Sequence, residues 1–220
     1  MNLQQMSLGE IARQIPGATA LFHRHKLDFC CGGQQSLLEA AEGRGLSAEA
    51  LAGELRALNP ASHDTDWSTK NDRELIEHIL SRYHELHRLQ LPELIRLSSR
   101  VEKVHRDHPQ CPTGLAAHLE QMEQELAEHM AKEEDILFPM LMRGAYQMVH
   151  GPIMVMRHEH DDHGLALAQM EQLAHGFVLP DDACNTWRAL YLGLQTLVTD
   201  LMDHIHLENN ILFHRVEYAA

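Results

Sequence analysis

Residues 125–138 read ELAEHMAKEEDILF and residues 200–213 read DLMDHIHLENNILF, an offset of 75. Six of the fourteen aligned positions are identical: Leu126/Leu201, His129/His204, Glu133/Glu208, Ile136/Ile211, Leu137/Leu212 and Phe138/Phe213. At an offset of 76, His84-x-x-His87 followed by Leu91 matches His160-x-x-His163 followed by Leu167. Any two amphipathic helices share leucines, but they have no reason to share histidines and glutamates. The pattern reads as a duplicated helix pair.

Around these segments, helical periodicity predicts four long helices, over about 71–104, 115–142, 152–174 and 182–216. The first is capped by Asn71 with Glu74, and a kink is expected at Pro92. No strand-like alternation competes. Short connections between long helices imply an all-α, antiparallel four-helix bundle over residues 70–220. Residues 1–58 read as a small helical domain: Ser7, Ser36 and Ser47 each precede a helix-favouring run, and Asp28-Phe-Cys-Cys-Gly-Gly33 interrupts them. A segment this short is marginal alone and is expected to lean on another surface. NPASHDTDWST (59–69) reads as the linker.

The inward stripes carry the chemistry. On the second helix Met122, Leu126, His129, Glu133 and Ile136 advance in steps of four and three, and on the fourth Leu197, Leu201, His204, Glu208 and Ile211 do the same. The first helix contributes Leu80, His84, His87 and Leu91, and the third Ile153, Met156, His160, His163 and Leu167. An isolated ionised carboxylate in an apolar core costs several kcal/mol or more. Two of them among imidazoles call either for a buried network of His⁺ and Glu⁻, which often fails to recover its desolvation cost, or for a metal. The doubled constellation favours metal.

Imidazole with carboxylate suits iron or manganese, whereas a closed structural zinc site commonly uses cysteine. There is no His-Glu-x-x-His, so a metalloprotease lacks its motif. The Glu-x-x-His step of ferritin-like bundles is replaced here by His-x-x-x-Glu. Two six-coordinate metals sharing Glu133, Glu208 and an oxo or hydroxo group, with His84, His129, His160 and His204 as terminal ligands, keep one open position each. His87 and His163 are then rim or supporting residues, although periodicity alone does not separate His84 from His87. Glu125 and Asp200 are placed to orient histidine rings or to lie on a solvated edge, and His158 and His206 are expected to face solvent.

Composition agrees with this reading and narrows it. Eighteen histidines equal all the lysines and arginines together, and a net charge of −14 argues against nucleic acid or an anionic membrane as partner. The N-terminus has no signal-peptide pattern, and ILFPMLM at 136–142 falls short of the ~20 residues of a membrane span. Adjacent Cys30 and Cys31, with Cys111 and Cys184 apart, do not form a disulfide framework, which points to a reducing, cytoplasmic setting.

Asp28-Phe-Cys-Cys-Gly-Gly33, followed by Tyr83-His84, His129-Met-x-Lys-Glu133, Glu159-His160-Asp161 and Asp203-His204-x-x-Leu-Glu208-Asn-Asn, resembles the iron-sulfur cluster repair di-iron proteins. These are also called repair-of-iron-centres or YtfE-type proteins. The resemblance runs from LGEIA near the N-terminus to NNILF near the end. It implies a non-haem di-iron centre held by His84, His129, Glu133, His160, His204 and Glu208, the set that spacing also reaches. It further implies repair of iron-sulfur clusters damaged by nitric oxide or oxidative stress, by iron donation, by reduction of NO to N2O, or by both. Damaged iron-sulfur proteins would be the clients and NO or O2 the small ligands, with a homodimer as one open assembly. Cys30 and Cys31 match the family's paired cysteines and are read as a redox or iron relay, against a purely structural pair. A non-catalytic hemerythrin-like O2 or NO carrier or sensor is the alternative. Iron storage would need further acidic sites that the sequence does not show.

Overall fold

A computed structural model describes residues 2–58 and 66–218, with the side chains of 217 and 218 excepted. It divides into two compact units, residues 76–201 and residues 1–75 with 202–220. Most of the linker expected at 59–69 lies outside the described residues. Among the described residues, no helix is long and apolar enough to cross a membrane.

In the 76–201 unit the chain runs from the end of α5 (Asp72–Ile79) through α6 (Glu85–Val104), α7 (Leu115–Lys132), α8 (Phe138–Met142), α9 (His150–Leu173) and the first part of α10 (Asn185–His206). Side-chain pairings fix their directions. Between α6 and the helix run of α7, Arg88 meets Glu134 just past the end of α7 while Glu102 accepts from the N–H of Ala116 near its start. On α7 and α9, His129 meets Glu159 while His118 meets the Ala166 carbonyl. Ahead of and along α6, Arg82 and Gln90 donate to Asp200, and His105 stacks near Trp187. Each pair runs antiparallel. The helix passes through Pro92 without ending, and Leu94 packs over Gly193 of α10, where an added Cβ would lie 2.7 Å from its Cδ2.

Three turns in these helices are wider than α-helical: Leu80–His84, Glu133–Leu137 and Leu207–Leu212. Each holds one extra residue, a feature that recurs at functional sites. The turn at Glu133 shifts the buried stripe by one position. Ile136, expected inside, is 53% exposed, and Leu137 takes its place at 1%. Leu80 is likewise only half-buried and Ile79 is buried.

In the other unit, α1 (Leu8–Gln14), α2 (Ala18–Arg24), α3 (Leu37–Gly43) and α4 (Ala48–Ala57) surround Leu8, Ile11, Phe22, Phe29, Leu37 and Leu51. Ser7 and Ser47 cap their helices, and Ser36 with Glu39 forms a complete capping box. This small core does lean on another surface: Met202 packs against it, and α1 lies on the turn Leu207–Leu212. The last described helix is α11 (Phe213–Tyr218), whose Arg215 binds Asp72 and the carbonyl of Trp67. Gly9 of α1 sets the closest approach, because an added Cβ would meet Asn210 Oδ1 at 2.4 Å. Gly9→Ala is therefore expected to destabilise this unit by about 1–3 kcal/mol, read as an earlier urea midpoint.

Candidate metal centre

In the 76–201 unit, His84, His129, Glu133 and His160 are all enclosed, none exposing more than 1% of its surface. His84 and Glu133 sit on wide turns, while His129 and His160 lie on α7 and α9. Nε2 of His84 lies 3.4 Å from one oxygen of Glu133, and Nε2 of His129 lies 3.5 Å from the other. Nε2 of His160 is 3.1 Å from Nε2 of His129. The donor atoms of His129, Glu133 and His160 all fall within 4.8 Å of one another.

The remote ring nitrogens are held by carboxylates. Nδ1–H of His84 donates to Glu134 at 2.7 Å, and Nδ1–H of His129 donates to Glu159 at 2.8 Å. Arg88 and Lys132 hold those two carboxylates from outside. Burial pushes the Glu134 carboxyl up, but the bonds from His84 and Arg88 outweigh it and hold it below its ordinary range. With Nδ1 occupied by hydrogen, a neutral imidazole presents its Nε2 lone pair inward, as metal-binding histidines do. Glu134→Ala is expected to weaken metal binding by roughly 10–100-fold, read by competition with a chelator.

In the other unit, His204 and Glu208 repeat the His-x-x-x-Glu step on α10 and the turn that follows. Both are enclosed, with His204 Nε2 3.2 Å from Glu208 Oε1. Ahead of them Asp203 meets His23.

Several residues differ from the sequence expectation. Of the two places open to His87 and His163, burial fits supporting residues and not a rim: His87 lies against Gln90 and His163 edge-on to the His129 ring. Asp200 is buried with its oxygens taken by Arg82 and Gln90, whereas Glu125 is an exposed acceptor for Gln121. His206, expected in solvent, is buried, and burial together with Arg13 and His23 lowers its pKa to about 3. His158 is exposed, as expected. Glu134 and Glu159, which orient two of the rings, escaped the sequence reading. Their signal was adjacency, since each is next in sequence to a candidate ligand.

Cys30 and Cys31 are free thiols in the unit that carries His204. Their sulfurs are 3.5 Å apart, Cys30 is buried and Cys31 half-buried. Cys31, burial and Asp28 together hold the Cys30 thiol well above its ordinary pKa, so it is protonated at neutral pH. Asp28 joins both sulfurs in a second compact donor group.

Comparison with known proteins agrees with this geometry. Residues 75–216 match the hemerythrin HHE cation binding domain, and residues 4–59 match a domain of unknown function, DUF542. The chain is 51% identical over 216 residues to the iron-sulfur cluster repair protein YtfE of Yersinia pseudotuberculosis serotype O:1b (strain IP 31758), covering 98% of both chains. The identity and coverage are the same for the iron-sulfur cluster repair protein YtfE of Yersinia pestis (strain Pestoides F). The chain belongs to the YtfE family. Within this YtfE-family chain, His84, His129, Glu133, His160, His204 and Glu208 all fall in the hemerythrin HHE segment, and the two adjacent cysteines fall in the other.

Proposed function

We propose that the chain repairs iron-sulfur clusters damaged by nitric oxide or oxidative stress, using two irons held by His84, His129, Glu133, His160, His204 and Glu208. Glu133 and Glu208 would bridge the pair. The observation that carries this reading is the repeated burial of a His-x-x-x-Glu step with no exposed edge. Imidazole nitrogens and carboxylate oxygens together are the ligand types that suit a cation of intermediate hardness such as iron. Domain division follows the same lines, with a cysteine-pair domain over 1–58, a linker over 59–69 and a hemerythrin-like bundle over 70–220. Matches to residues 4–59 and 75–216 support that division.

Bound iron would supply reducing electrons and open positions for a diatomic ligand, NO or O2, and two NO with two electrons and two protons give N2O and water. The protein's own residues supply the surroundings. Glu134 and Glu159 keep His84 and His129 in one tautomer and orientation. Met122, Leu126, Phe138, Ile153 and Met156 are buried on the same faces and exclude water. Cys31, the more exposed sulfur, is the first contact for an electron or iron acceptor, and Cys30 stands behind it as the second thiol.

The test has two arms. Reduced protein given NO anaerobically is expected to release N2O over several turnovers, and a stable nitrosyl adduct without gas would mark a carrier or sensor instead. An aconitase-type enzyme with a damaged cluster is expected to regain activity with the wild-type chain. It is expected to regain much less with the Cys30→Ala/Cys31→Ala variant.

A further inference from the structure

The turn Leu207–Leu212 carries two buried amides that the proposed metal chemistry does not use. Asn209 and Asn210 follow Glu208 directly and are each 6% exposed. Asn209 Nδ2 donates to the carbonyl of Cys30 at 3.1 Å. Asn210 Nδ2 donates to the carbonyl of Phe29 at 3.0 Å and lies 3.0 Å from Nδ1 of His206. The opposite edges of the same two peptide groups are held by Asp28, whose Oδ1 accepts from the N–H of Cys30 at 3.2 Å and of Cys31 at 3.0 Å. Both peptide planes of the cysteine turn are thus gripped at oxygen and at nitrogen. The cradle has no slack, since a Cβ on Gly33 would meet the Phe29 carbonyl at 2.6 Å and Asn210 Oδ1 at 3.1 Å. Arg13 fixes the backbone of Asn210 itself.

We propose that Asn209 and Asn210 are positioning residues that hold the Cys30–Cys31 turn in its dithiol form and so set the reduction potential of the pair. The proposal rests on the reading of these cysteines as a relay. Adjacent Cα atoms are about 3.8 Å apart across a trans peptide, less than the roughly 4.4–6.8 Å spanned in ordinary disulfides. Closing the sulfurs from 3.5 Å to a bond of about 2.0 Å therefore requires the peptide between them to rotate. Rotation breaks the Asn209 bond to the Cys30 carbonyl and disturbs the neighbouring plane held by Asn210. The amides stabilise the open pair and not the closed one.

With glutathione disulfide as the oxidant, the Cys31 thiolate attacks one of its sulfurs and releases the first glutathione. Cys30 then passes its proton to Asp28, 3.3 Å away, and displaces the second glutathione from Cys31. Dithiol plus glutathione disulfide gives the intramolecular disulfide plus two glutathiones, a two-electron exchange with no other reactant.

The full-length chain is equilibrated anaerobically with glutathione buffers of graded ratio and quenched in acid. The fragment containing Cys30 and Cys31 is then weighed by mass spectrometry. Asn209→Ala is expected to shift the equilibrium about tenfold toward disulfide, about 30 mV more negative for a two-electron couple, with Asn210→Ala moving it the same way. Ser36→Ala, which loosens the same unit through a lost helix cap, is expected to leave the ratio at the wild-type value. Should Asn209→Ala fail to fold, Asn209→Ser replaces it, because its hydroxyl stops short of the Cys30 carbonyl. Wild-type ratios in both asparagine variants, with a wild-type pair that oxidises, would overturn the proposal and leave the relay standing. A pair that stays reduced in every variant at every ratio would overturn both.

Discussion

Glu133→Ala is expected to purify with less than about a tenth of the wild-type iron while keeping its helical content. As the proposed bridge, Glu133 would give an oxygen to each metal, so its loss would remove a ligand from both irons together. Loss of an outer residue that merely orients a ligand typically costs 10–100-fold in affinity, and loss of a shared ligand is expected to exceed that. His84→Ala offers the contrast, because it would take a terminal ligand from one side only and is expected to leave an intermediate iron content. The alanine also removes a fully buried carboxylate, whose isolated burial is unfavourable without a cation. The metal-free variant is therefore expected to be no less stable than metal-free wild type, which separates ligand loss from misfolding. Unchanged iron and an unchanged optical spectrum in Glu133→Ala would remove this residue from the centre.

The periodicity that makes the two segments alike also explains which residues the sequence alone places and which it does not. Stripes advancing by four and three residues located the buried His129, Glu133, His204 and Glu208, because burial on a regular helix depends on phase alone. Phase fails at a wide turn. The extra residue at Glu133–Leu137 rotates everything beyond it, which is why Ile136 lies outside and Leu137 inside. Glu134 and Glu159 have the spacing of solvent-facing residues, and their role depends on a ring reaching across from another helix in one case and from α7 in the other. Asp200 shows the converse: it lies one turn before His204, yet its carboxylate is taken by Arg82 and Gln90, more than a hundred residues away in sequence. His206 and the two asparagines were hidden for a related reason. They flank the bundle stripe, and the surface that buries them belongs to the cysteine turn and α1. Local pattern registers a residue's phase on its own helix and is silent on what a distant segment brings to it.

Stripping the iron anaerobically with a chelator is expected to lower the thermal midpoint by about 8–16 °C, and refilling with iron is expected to restore it. Binding stabilises the folded state by about 4 kcal/mol when the free metal stands at a thousand times its dissociation constant. For a chain of 150–250 residues each kcal/mol moves the midpoint by about 2–4 °C. The iron-free protein must satisfy Glu133 and Glu208, both without measurable exposure, by taking up protons or admitting water. Either alternative forfeits the charge compensation that a dication gives, and the effective penalty for each uncompensated buried ion is several kcal/mol. Zinc supplied to the stripped protein is expected to recover much of the midpoint without the iron spectrum, since it neutralises the same carboxylates without redox chemistry. If the stripped and loaded proteins instead unfold at one temperature, the buried carboxylates are satisfied by protons and histidines alone. The imidazoles would then be partners in an ionic core, and a metal would not be what holds the two helix pairs' acceptors in place.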